Sequence, residues 1–133
     1  MAAGESRTFT LGYLPDSYNV TKGAHWAKAG RSKQKLQADM ESMLMGLRMP
    51  RPLPGPCFAF ATLIVPVKRD RDEGNFRTPL EKSLGDALQN GGWLPNDTPD
   101  FFRFGSVNFE LKQGVSETRI TVAWRTDQGA AAA

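Results

Sequence analysis

The sequence predicts an α/β (α+β) fold, a single domain with a mixed β-sheet and two packed helices, and three observations carry that expectation. Apolar residues recur at helical spacing in two segments and at strand spacing in four, in the order β-α-β-α-β-β. Pro- and Gly-rich stretches fall between these segments. A chain of 133 residues, 40% hydrophobic and 23% charged, can bury one core without disulfides or metal staples.

Arg7 to Leu14 alternates, with Phe9, Leu11 and Tyr13 on one face and Thr8 and Thr10 on the other, so it reads as a strand. Pro15-Asp16-Ser17 opens a loop that runs through Gly30. Ser32 is placed to cap a helix carrying Leu36, Met40, Leu44 and Leu47, with Met40, Met43 and Met45 as flexible core filler. The four prolines between Arg48 and Pro56 forbid its continuation. Cys57 to Val67 barely alternates and is expected to be buried on both faces.

Phe76, Leu80, Leu84 and Leu88 mark the second helix, with Pro79 expected in its first turn and Gly91-Gly92 at its end. After the loop Trp93 to Pro99, two alternating segments follow. One carries Val107, Phe109 and Leu111, the other Ile120, Val122 and Trp124, and the turn Gln113 to Ser116 predicts an antiparallel hairpin between them. The ordered core is expected over 7–125, with the tail from Thr126 to Ala133 flexible.

Composition narrows the chemistry. Cys57 is the sole cysteine, which excludes a disulfide framework and suits a reducing compartment. No leader is apparent at the start, and the run Phe58 to Val67 is too short to span a bilayer, so a cytoplasmic protein is expected. The net charge is +3, and cations crowd the first half while acids gather between Asp70 and Asp100. His25 is the sole histidine, and neither a P-loop nor a GxSxG elbow is present. Metal-assisted chemistry, or none, is what remains.

The stretch RDRDEGNFR, residues 69–77, sets the central question. Three acids in four positions, Asp70, Asp72 and Glu73, repel one another unless the flanking arginines, a lysine from elsewhere or a metal ion compensates. Asp70 and Asp72 share a side if the strand persists, whereas a turn at Glu73-Gly74 brings Asp72 and Glu73 together. Hard cations such as Mg²⁺ need only two or three carboxylates plus water and phosphate oxygens. Asp97 and Asp100 follow the second helix, and Lys82 and Asp86 stand four apart on it. Taken singly, each of these features is commonest on a solvated surface.

In order along the chain, LPDSYNVTKGAHWAKAGRSK and RDRDEGNFRTPLEKSLGDALQNGGWLPND resemble the N-terminal and active-site regions of RusA-type Holliday junction resolvases. The likeness spans roughly residues 9–124 and rests on order and spacing together. It implies a Mg²⁺-dependent endonuclease, with Mn²⁺ as a substitute ion, that cuts four-way DNA junctions symmetrically as a homodimer in recombination and repair. The family is typical of bacteria and their phages. By the same resemblance Asp97 is the last catalytic aspartate and Lys82 the active-site lysine, with Asp86 orienting either the helix or Lys82. Asp72 with either Asp70 or Glu73 then completes the metal set, Asp72 being common to both ways of aligning the first pair. Asn19, Lys22, His25, Lys28, Arg31, Arg69, Arg71, Asn75 and Arg77 are the implied DNA contacts. The spacing departs from the family pattern where Glu73-Gly74 separates Asp72 from Asn75 and lengthens the path to Lys82. A nuclease for other branched DNA, a branched-DNA binder that does not cut, and a scaffold with solvated acids are the competing expectations.

Overall fold

The computed structural model describes residues 4–16, 26–68 and 71–126, and of residues 26–29 the backbone alone. Six elements follow one another: β1 (Gly4–Leu11), α1 (Trp26–Gly46), β2 (Cys57–Val65), α2 (Glu73–Asn90), β3 (Phe102–Leu111) and β4 (Glu117–Arg125). The expected order β-α-β-α-β-β is therefore the observed one.

The four strands form one mixed sheet in the order β1-β4-β2-β3. β4 runs antiparallel to both β1 and β2, and β2 is parallel to β3. The expected β3–β4 hairpin is not formed. A short turn does join these strands, but it passes over the end of β2, where Lys112 N–H donates to Val65 O at 2.9 Å. The reason lies in β2, whose side chains are the most apolar and take a central position, paired on both edges. Alternation identifies strands without naming their neighbours.

β2 itself corrects a second expectation. Cys57, Ala59, Ala61, Leu63 and Val65 face the core, but Phe58 and Phe60 on the opposite face are 45% and 44% exposed. Only from Leu63 to Val65 is every residue buried. The sheet is thus covered by helices on one face and open on the other.

The core gathers Phe9 and Leu11 of β1, Leu36, Met40 and Leu44 of α1, Leu80, Leu84 and Leu88 of α2, and Ile120, Val122 and Trp124 of β4. Met43 and Met45 are exposed, so of the three helical methionines near the core only Met40 is filler. α1 starts at Trp26, six residues before Ser32, whose hydroxyl bonds to Asp16 at 2.8 Å instead of capping. α2 likewise starts before its first apolar marker, which puts Pro79 in the second turn and not the first. It ends where Gly91, Gly92 and Trp93 return their N–H groups to Ala87, Gln89 and Leu88, Gly92 adopting φ +82°.

Cys57 is fully buried at the start of β2, and burial pushes its thiol up to about 12. Thiolate is scarce at neutral pH, so alkylation must await opening of the sheet. Labelling of the native protein by iodoacetamide is expected to be at least ~10³-fold slower than in denaturant. Comparable rates in both would place the thiol outside the core.

Candidate functional site

The site is organised by one missing side chain. Gly85 lies on the buried face of α2, and a Cβ there would stand 3.1 Å from Asp97 Cβ, 3.3 Å from Asp97 Oδ2 and 3.3 Å from a Phe102 ring carbon. A Cβ here would be tight, and the loop after α2 would have to give by a few tenths of an ångström to admit it. That loop is pinned at both ends. Trp93 and Leu94 are buried beneath it, and Thr98 O accepts from the N–H groups of Phe101 and Phe102 at 2.9 Å each. Asn96 Oδ1 accepts from Thr98 N and Thr98 Oγ1, closing a local turn that presents Asp97.

One helical turn before Asp86, Lys82 extends between two carboxylates. Its Nζ is 3.1 Å from Asp86 Oδ1 and 4.0 Å from Asp97 Oδ2. The hydrogen bond to Asp86, with its charge and that of Asp97, raises the Lys82 pKa, so the ammonium persists well into the alkaline range. All three side chains keep contact with solvent. Two openings meet at Lys82. A cleft of about 660 Å³ is lined by Arg77, Glu81, Lys82, Asp97, Phe102 and Arg103, among others. A groove of about 510 Å³ runs between α1 and α2, with Lys33, Lys35 and Lys82 along its walls and Tyr13 and Leu36 among its apolar lining.

Of the other sequence-predicted acids, the described Asp72 and Glu73 do not join this cluster within one chain. Asp72 is extended (φ −92°, ψ 117°) and its Oδ1 accepts from Gly74 N–H at 2.9 Å, so it is the N-cap of α2. Glu73 Oε1 accepts from Val107 N–H of β3 at 3.3 Å. Gly85, against which Asp97 rests, comes twelve residues after Glu73, about 18 Å along the helix axis. Oxygens that share one Mg²⁺ ligate it at about 2.1 Å, so Asp72 and Glu73 cannot complete a shell around Asp97 of the same chain. A centre that unites Asp72, Glu73 and Asp97 of one chain is therefore not assembled, and Asp70, the alternative partner of Asp72, lies outside the described residues. Among the described residues no group of three His, Cys, Asp or Glu side chains is placed to hold a metal ion. A Mg²⁺ that keeps several waters needs few carboxylates, and Asp86 and Asp97 are the two that face Lys82.

Of the remaining predicted residues, Asn19, Lys22, His25, Arg69 and Asp70 lie outside the described residues, as does the side chain of Lys28. Arg31 is exposed on α1. Arg71 Nη1 donates to Val67 O at 3.1 Å, and half-buried Asn75 gives its N–H to Asp72 O. Arg77 Nη2 donates to Phe104 O at 2.6 Å and lies 3.6 Å from Glu81, tying α2 to β3. Gly85 has no part in the expectations drawn from the sequence. A glycine inside a helical pattern, one residue before Asp86, was the available signal that something approaches there. Sequence reasoning also passed over Tyr13, whose hydroxyl donates to Asp39 at 2.5 Å while Lys35 lies 4.1 Å from its ring centre.

No protein-family model matches the chain, and no curated protein matches it.

The cap assignment for Asp72 has a measurable consequence. Asp72→Ala is expected to cost about 1 kcal/mol and lower the melting temperature by roughly 4 °C, whereas Asp72→Asn, which caps equally well, should leave it unchanged. Equal losses in both variants would mean that charge, not capping, is what Asp72 supplies.

Proposed function

We propose that the chain is a metal-dependent endonuclease of RusA type that hydrolyses phosphodiesters in branched DNA, the four-way junction foremost. The observation that supports this best is the approach of Asp97 to Lys82 and Asp86, permitted by Gly85, at the meeting point of two openings lined in part by cations. Asp86 and Asp97 would hold the ion. When bound, Mg²⁺ polarises the phosphate and lowers the pKa of a coordinated water. Lys82 offers a cation beside that position and offsets charge developing on the phosphate oxygens. Lys33 and Lys35 line the groove that leads there and attract the DNA backbone, which makes binding sensitive to salt. Among the described residues no helix is long and apolar enough to cross a membrane.

A second reading, a branched-DNA binder that does not cut, is favoured by one observation: Asp72 and Glu73 are engaged by backbone N–H groups away from Asp97. The two readings separate on a mobile four-way junction and a linear duplex of equal length, each incubated with Mg²⁺ or EDTA. Paired symmetric nicks in the junction alone, and only with Mg²⁺, support the nuclease. A junction that is shifted but never cut supports the binder, and equal affinity for both DNAs excludes each.

A further inference from the structure

We propose that the groove between α1 and α2 takes one unstacked nucleotide of a DNA strand, with its base in the groove and its phosphate on Lys82. The inference rests on the proposed activity and adds to it a subsite for a base. Lys82 stands where the groove of about 510 Å³ meets the cleft beside Asp97. A ligand that fills the groove and reaches Lys82 has one end at the acids and the other among apolar side chains. The groove's volume is within the range usual for small-molecule sites.

The lining selects the chemistry. Tyr13, Pro15 and Pro79 contribute rings and Leu36 an aliphatic surface, which suit a flat apolar body. The Tyr13 wall is fixed before any ligand arrives, by the bond of its hydroxyl to Asp39 and by the Lys35 ammonium 4.1 Å from its ring centre. Ser83 lines the same groove at 1% exposure, and its hydroxyl has no hydrogen-bond partner among the described residues. A buried hydroxyl left unpaired is costly, and the polar edge of a ligand would relieve that cost. Lys33, Lys35 and Lys82 stand along the walls against one acid, Asp16, which accepts from the Ser32 hydroxyl at 2.8 Å. Lys33 has no acidic partner among the described residues.

Other ligand classes each lack one of these features. An acyl chain offers nothing to Ser83, a neutral sugar offers no charge to the lysines, and a cation is repelled by them. A nucleotide has a planar base, donors and acceptors along its edge, and a phosphate. Swinging a base out of the stack costs least where pairing is already interrupted. A branch point is such a place, so the groove gives the chain a physical reason to hold a branched strand in preference to a linear one.

2-Aminopurine, which brightens when it leaves the base stack, tests this. It is placed singly at each position flanking the branch point of a four-way junction and mixed with the full chain in EDTA, so that no strand is cut. One position is expected to brighten by at least ~3-fold, and none in a linear duplex. Gly30→Phe, at an exposed groove position where an added Cβ meets nothing within 4 Å, should keep its circular dichroism and abolish the signal by filling the groove. Ser83→Ala should weaken junction binding about tenfold, and an abasic site at the responsive position should erase that difference from wild type. Brightening that survives Gly30→Phe overturns the proposal, as does a Ser83→Ala loss that persists on the abasic junction. A junction bound and cut with every position dark overturns this inference alone, whereas a junction neither bound nor cut removes the proposed function as well. Titration with free deoxynucleoside monophosphates supplies the rival occupant: saturable binding lost in Gly30→Phe, with every junction position dark, would assign the groove to a soluble nucleotide and end the proposal.

Discussion

Asp97→Asn is expected to lower junction cutting by at least ~100-fold while leaving junction affinity within a few-fold of wild type. The substitution keeps the shape that fits over Gly85, so the loop should stay in place. What it removes is one of the two negative charges facing Lys82, and with it one of the two proposed ligands of the ion. Affinity should hold because the Lys33–Lys35 groove is untouched. Gel-shift and cleavage assays on the same junction separate the two quantities. Full cleavage by Asp97→Asn would remove this carboxylate from the chemistry. Raising the pH through the neutral range should not itself silence the wild type through Lys82. Its raised pKa keeps the ammonium present below that value, and the charge is lost only as pH rises through it.

Gly91→Ala is expected to be the most damaging added methyl among the described glycines, costing about 3 kcal/mol and roughly 12 °C in melting temperature. Its φ of −79° suits any residue, so backbone strain is not the cause. A Cβ at Gly91 would fall 2.1 Å from Trp93 Cζ3, 2.5 Å from Cε3 and 3.0 Å from Cη2. The indole cannot give way easily. It is fully buried, and the Arg51 guanidinium sits 4.8 Å from its ring centre. Gly92, which does adopt a left-handed φ of +82°, has only the flexible Arg51 stem nearby. Gly92→Ala should therefore cost about 1 kcal/mol, the milder of the two. Thermal melts of both variants decide it, since the reverse ranking would refute the packing account of this turn.

The elements themselves were legible because burial imposes periodicity. Leu80, Leu84 and Leu88 face the core as their spacing requires, and so do Phe9 with Leu11 and Ile120 with Val122. Pairing was not legible, since nothing in the alternation of Val107, Phe109 and Leu111 records that β2 intervenes before Ile120. The faces of β2 misled for a related reason: Phe58 and Phe60 are apolar residues on a surface that one chain leaves bare. In the site, the Lys82–Asp86 contact followed from an i,i+4 spacing, a local rule that survives tertiary context. Asp97 was locatable from the loop that follows α2. The crowding of Asp72 and Glu73 had a local answer, a helix cap and a strand N–H, and a run of acids looks the same whether backbone amides or a cation receive it.

The edge strand β3 carries an irregularity with its own consequence. Between Phe104 and Val107 the register against β2 slips at Gly105-Ser106, and the flanking backbone groups are engaged from α2, Phe104 O by Arg77 and Val107 N–H by Glu73. A flat, unengaged edge would template a further strand, and strand-upon-strand growth has no natural end. Here a bend and two side-chain plugs interrupt the template. The chain is thereby guarded against fibril-like growth along that edge.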